Sequence, residues 1–211
     1  EAAPALSFGA DMYQSIGVRP LINCKGVFTS LSGSLMLPEV RQAMAQASMN
    51  FVHIDELMEA VGKRLAAITG AEWGIVSSSA TAGLTHATSA CITGGDPEKI
   101  RRLPDLSGLK NEVIVPSYSR NVYDHAIRML GVKMIDVENE RELRRAFSSR
   151  TAMVMVMAKK RSTEDRGPFG LPVIANIAHQ HGVPVLVDAA ADNLTIPNAQ
   201  LGRGADLVVY S

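Results

Sequence analysis

The feature that most constrains this chain is an alternation running from residue 112 to residue 211, in which short apolar runs are each followed by a helical stretch. The runs are EVIV (112–115), VKMIDV (132–137), TAMVMVM (151–157), PVLVD (184–188) and DLVVYS (206–211). Between them lie NVYDHAIRML (121–130), ENERELRRAF (138–147) and LPVIANIAHQH (171–181), whose apolar spacing predicts helices. An earlier pair, GIVSS (74–78) and TAGLTHATSACI (81–92), reads as one more strand and helix. Strands alternating with helical segments of about 10–15 residues argue for βαβ units and a mainly parallel sheet. Runs such as MVMVM and VLV are apolar at successive positions, as expected of strands covered on both faces. The predicted class is α/β.

The region before this core reads as two helices, PEVRQAMAQASMNF and IDELMEAVGKRLAAIT, the second closed by Gly70. Residues 1–40 are expected to form an N-terminal arm and 41–211 the main domain. The stretch GGDPEKIRRLPDLSGLKN (94–111) has no period and reads as a surface excursion.

Charge excludes some classes of partner. The 21 basic side chains cancel the 21 acidic ones in a chain of 211 residues, so there is no electrostatic pull toward nucleic acid or an anionic membrane. No apolar run approaches the ~18–20 residues of a membrane span. Cys24 and Cys91 have neither metal-type nor CxxC spacing, which points to a reducing compartment and a cytoplasmic location. The first residue is Glu1, and EAAPA fits either a tag remnant or the scar of a cleaved export signal.

The strand ends carry the chemistry. PVLVD drives a buried strand into Asp188. In an open parallel sheet the ligand crevice lies outside the carboxyl ends of the strands. A carboxylate there suffers a desolvation penalty unless a cation or hydrogen-bond donors meet it. VSSSATAG (76–83) runs from a strand into three serines as a helix begins. Small side chains, hydroxyls and first-turn N–H groups make this a candidate phosphate cradle. It is equally readable as a serine N-cap on a small-residue helix, and it lacks the GxGxxG and GxxxxGK[ST] patterns. Ser211 ends a further strand at the same expected edge. His179 and His181 flank a helix end without metal-pair spacing, and no metal is expected.

Together, SSSATAG, VPVLVDAAAD and GADLVVYS resemble fold-type-I pyridoxal-phosphate enzymes. More narrowly, INCKG (22–26), ITGAEWGIVSSSATAGL (68–84), ACITGGDP (90–97) and LPDLSGLKNEVIV (103–115) are similar to the branch that holds bacterial selenocysteine synthase and D-glucosaminate-6-phosphate ammonia-lyase. The resemblance covers about residues 13–211. It implies the three-layer αβα large domain of the aspartate aminotransferase type, with pyridoxal 5'-phosphate as cofactor. It implies that Asp188 pairs with the protonated pyridine nitrogen, and that Ser79, Ala80, Thr81 and Ser211 bind the cofactor phosphate. It also implies that Tyr118, in VPSYSRNVYDH, covers the ring, with Arg120 or His125 behind it. Arg120 and Lys159 are candidate substrate contacts, and Lys25 and Lys159 are distant stand-ins for the lysine that forms the Schiff base in such enzymes.

Members of the branch carry the Schiff-base lysine just beyond the strand that ends in Ser211, as S-x-x-K, followed by a small C-terminal domain. Neither lies within these 211 residues, so no catalytic residue is assigned. Truncation and a natural lack of the lysine are both consistent with that. The expected activity is α-proton abstraction and β-elimination on an amino acid or amino-sugar acid, by a homodimer or larger homo-oligomer. The alternatives are a seryl-tRNA selenium transferase-like enzyme, disfavoured by the neutral charge, and a non-catalytic binder on the same fold.

Overall fold

The computed structural model describes residues 8–9, 11–26, 29–158 and 169–211. The chain divides into two compact units, Glu1–Val52 and His53–Ser211.

The first unit holds a short helix α1 (Met12–Ser15), a 3₁₀ turn Thr29–Leu31 and helix α2 (Pro38–Ala47). Pro38 sits at the start of α2, where its fixed φ suits the first turn and its missing N–H is not needed. The apolar pattern predicts this helix as far as 51, yet it ends at Ala47. Just beyond, Ser48 Oγ donates to the Ala45 carbonyl and Asn50 Nδ2 to the Gln46 carbonyl, so side chains compete with the helical ladder. Asn23 braces the preceding loop. Its Nδ2 donates to the carbonyls of Gly26 (2.8 Å) and Gly33 (3.3 Å), and its Oδ1 accepts from the Lys25 N–H (2.9 Å).

The second unit opens with α3 (Ile54–Thr69), stopped by Gly70 in the left-handed region at φ 75°. Next come α4 (Ala80–Thr93), α5 (Pro97–Arg102), β1 (Glu112–Pro116), α6 (His125–Arg128), β2 (Lys133–Val137), α7 (Glu140–Ala146), β3 (Thr151–Met157), α8 (Leu171–Gln180), β4 (Val185–Asp188) and β5 (Leu207–Val209). The sheet runs in the order β2-β1-β3-β4-β5, and every neighbouring pair is parallel. All five carboxyl ends therefore share one rim.

Two-residue periodicity divides the strand side chains between two cores, which makes the three-layer arrangement. Val113, Val115, Met153, Met155 and Leu186 pack with Leu84 and Ile92 of α4 and Ile127 of α6. Ile114, Val154, Val156, Val185 and Val187 pack on the other face with Leu143 of α7 and Ile174 and Ile177 of α8. Both faces are covered, which is why these strands are apolar at successive positions.

The structure departs from the sequence reading in three further places. The GIVSS stretch forms no strand: residues 74–77 have no ladder partner among the described residues, and Ile75 and Val76 stay exposed. An apolar run becomes a strand only where a neighbouring backbone takes up its N–H and C=O groups. The helix expected over 121–130 is a 3₁₀ turn, Val122–Asp124, followed by the single turn of α6. The capping box of Asn121 and Asp124 starts the chain in the tighter form. The 94–111 excursion contains α5, whose Asp96 side chain accepts from the N–H groups of Glu98 and Lys99.

Candidate functional site

Asp188 is the last residue of β4 and is 4% exposed. Its Oδ1 accepts from the Ala190 N–H at 3.1 Å, and no cationic side chain pairs with it among the described residues. Burial raises its pKa against the opposing effect of the Ala190 N–H, and the nearby Asp124 carboxylate raises it further. This carboxyl group is placed for an incoming cation.

The 77–83 turn reaches the same rim. In the register of the sheet Asp188 pairs with Val209, and Val209 meets Gly83 in the first turns of α4. A Cβ on Gly83 would lie 2.9 Å from Val209 Cγ1 and 3.4 Å from Ser77 Oγ, so only glycine lets the helix start so close to the strand end. Ser79 is the N-cap, with extended backbone, and its Oγ accepts from the Ala82 N–H at 3.2 Å. Ser77 Oγ donates to the Ser79 carbonyl at 2.9 Å. The serine cap and the candidate cradle thus coexist. The cap uses Ser79 as an acceptor, while its hydroxyl proton and the first-turn N–H groups of Ala80 and Thr81 keep the donor character an anion needs. Ser211 lies exposed two residues beyond β5.

The third part follows β1. Tyr118 lies in the 3₁₀ turn Ser117–Ser119, with its ring edge-on to Phe169 at 6.1 Å and its hydroxyl donating to the Phe169 carbonyl at 3.1 Å. Burial pushes its phenol up to about 12. Ser119 is fully buried, and its Oγ accepts from the Met157 N–H at 3.0 Å. Met157 is the register partner of Asp188, so this loop is pinned beside the end of β4.

Arg120 points into a carboxylate pair. Its Nε binds Asp124, and its Nη1 donates to both oxygens of Asp136 on β2, at 2.8 and 3.0 Å. Lys159 lies outside the described residues. His125 is exposed, with Nδ1 against the Val122 carbonyl at 3.0 Å. His179 pairs with Asp206 at 2.8 Å, and that same Asp206 oxygen accepts from the N–H of Val185 at the start of β4, so this histidine belongs to the opposite rim. No group of three or more potential metal-ligating side chains occurs among the described residues, and no described helix is long and apolar enough to cross a membrane.

The sequence reading missed Ser119, Asn121 and Asp124. The available signal was N-V-Y-D at 121–124, a capping-box spacing that a helix assignment starting at the same asparagine concealed.

Comparison with known proteins adds the family. No family model matches the chain. It is 33% identical to D-glucosaminate-6-phosphate ammonia lyase of Salmonella typhimurium over 95% of its own length and 56% of that protein's. The solved structure of a D-glucosaminate-6-phosphate ammonia-lyase superposes with a TM-score of 0.87 at 32% identity, covering 97% of this chain and 57% of that one. The chain is a fold-type-I relative of D-glucosaminate-6-phosphate ammonia-lyase. It is also 31% identical to a 5'-C-glycyluridine monooxygenase-decarboxylase of Streptomyces sp, over 94% of this chain and 52% of that one. The chain spans about half the length of the curated relatives it matches.

Proposed function

We propose that the protein is a pyridoxal-phosphate-dependent lyase that acts on an amino-sugar acid or amino acid by α-proton abstraction and β-elimination. The observation that carries this is a buried strand-end carboxylate, Asp188, with no cationic partner among the described residues, on the same rim as the Ser79–Thr81 helix start. A protonated pyridine nitrogen is the cation that carboxylate lacks, and a phosphate is the anion that the helix start favours. The donor set fits the group at both ends.

When bound, the cofactor supplies an electron sink for the carbanion at the substrate α-carbon. The residues of the chain do the rest. Asp188 keeps the ring nitrogen protonated, while Ser79, Ala80, Thr81 and Ser211 hold the phosphate and so fix the ring's position. Tyr118 covers one face and excludes water. Arg120 and Lys159 are candidate substrate contacts. An amino-sugar acid is the substrate class that the ammonia-lyase relationship favours. Loss of the β-hydroxyl as water, followed by hydrolysis of the resulting enamine, turns such a substrate into a 2-keto acid plus ammonia. We also propose a homo-oligomer, as the resemblance implies.

The relationship to the Streptomyces decarboxylase favours a second reading, in which carbon dioxide leaves the α-carbon instead of a proton. One assay separates the two. The protein is incubated with pyridoxal 5'-phosphate and D-glucosaminate 6-phosphate, and both ammonia and carbon dioxide are measured. Ammonia that disappears in Asp188→Ala supports the lyase, and carbon dioxide without ammonia supports the second reading. Absence of both, together with no retention of pyridoxal 5'-phosphate on gel filtration, overturns the cofactor reading.

A further inference from the structure

Resting on the cofactor reading above, we infer that Asp124 is a positioning residue. It supplies a second, fixed negative charge behind Asp188, so that the site holds a proton on the nitrogen of a bound pyridine ring.

The geometry builds this from three elements. Asp124 is 3% exposed and ends the 3₁₀ turn that follows β1. Ser119 pins that loop to Met157, the register neighbour of Asp188, and Asn121 Nδ2 lies 3.9 Å from Met157 Sδ. From the α4 side, Thr85 Oγ1 donates to the Ala126 carbonyl at 2.8 Å, which holds the segment after Asp124 against the cofactor-side helix.

Charge is conserved there by an uneven triad. Arg120 contributes one positive charge, and Asp124 and Asp136 one negative charge each, so the group is negative by one. The two carboxylates are not equivalent. Asp136 is 51% exposed and its field is screened by solvent, whereas Asp124 is 3% exposed and belongs to the loop that Ser119 and Asn121 hold against Met157, the register neighbour of Asp188. The other polar groups around Asp124 are the backbone N–H of Asn121, which donates to Oδ1 at 3.3 Å, and the Asn121 side chain, which is occupied by the Ser119 carbonyl. Among the described residues, Asp124 is the charged side chain that acts on Asp188. Arg120 gives Asp124 an ion-pair partner in a buried place, where an unpaired charge would be costly. Arg120 is thereby a support for the ring end of the site.

A capping role for Asp124 predicts loss of stability alone, so the test reads ring protonation. Pyridoxine 5'-phosphate labelled with ¹⁵N in the ring has no aldehyde, and its binding depends only on the non-covalent pocket. Its affinity is followed by fluorescence, and the ring nitrogen is titrated by ¹⁵N NMR in the bound state. In Asp124→Asn the nitrogen should deprotonate roughly one pH unit lower than in the parent protein. Asp124→Glu, which keeps the charge, should leave the midpoint near that of the parent protein. An unchanged midpoint in Asp124→Asn, with the parent protein binding normally, overturns the inference and leaves the cofactor reading standing. Failure of the parent protein to bind the ligand removes the cofactor reading, and the inference with it. Should Asp124→Asn not fold, Asp124→Ser decides the outcome by the same rule. The ligand-free protein gives an independent reading, because the ¹³C carboxyl titration of Asp188 should move to lower pH in Asp124→Asn.

Discussion

Gly83 and Val209 lie so close that a single methyl group on the glycine would sit 2.9 Å from Val209 Cγ1. That contact sets the start of α4 beside the end of β5, one strand away from Asp188. Gly83→Ala should therefore push the helix off the sheet. The expected loss of stability is about 1–3 kcal/mol, the usual range for overpacking. Weaker retention of pyridoxine 5'-phosphate should accompany it, measured by denaturant titration and fluorescence on the same sample.

Asp188 should stabilise the ligand-free fold better as an amide. Its pKa is raised by burial, so the folded state prefers the protonated acid. The stability this gives is fully present below the unfolded value of about 3.9 and is lost as pH rises through the folded value. Asp188→Asn should thus be more stable than the parent at pH 7, by about 1 kcal/mol, the low end of the cost of an unsatisfied buried charge. The difference should shrink as pH falls toward 4, and thermal melts across that range test it. Affinity for the pyridine ligand should fall at the same time.

Ser79→Ala removes the oxygen that accepts the Ala82 N–H. Loss of such a cap costs about 0.5–2 kcal/mol, and replacement by Asn should recover most of it. If Ser79 also donates to a phosphate, inorganic phosphate should stabilise the parent protein more than Ser79→Asn. Melting temperature against phosphate concentration measures both effects.

The two cysteines should react differently. Cys24 is exposed, while burial pushes the Cys91 thiol up to about 11. Because the thiolate is the reactive form, a disulfide reagent at pH 8 should label Cys24 rapidly and Cys91 only after denaturant is added. Equal fast labelling of both would show that the packing around α4 is looser than described.

Much of the fold was legible because its signals are local. The apolar runs of β1, β3 and β4 and the long patterns of α3 and α8 announce themselves through periodicity, and Gly70 marks a helix end through the left-handed backbone it allows. Asp188 was legible as a candidate for a similar reason, since a carboxylate closing a buried apolar run is anomalous within five residues of sequence.

What the amino-acid order determined by itself is therefore the set of elements and the charge at one strand end. Tertiary structure alone decided three other matters: that 74–77 stays unpaired, that Arg120 turns to Asp124 and Asp136, and that the Ser119 loop is tied to Met157 beside Asp188. Each depends on which groups the fold does or does not bring together. Hydrogen bonding and Coulomb energy depend on that separation and on the solvent around it, and neither is written in local periodicity.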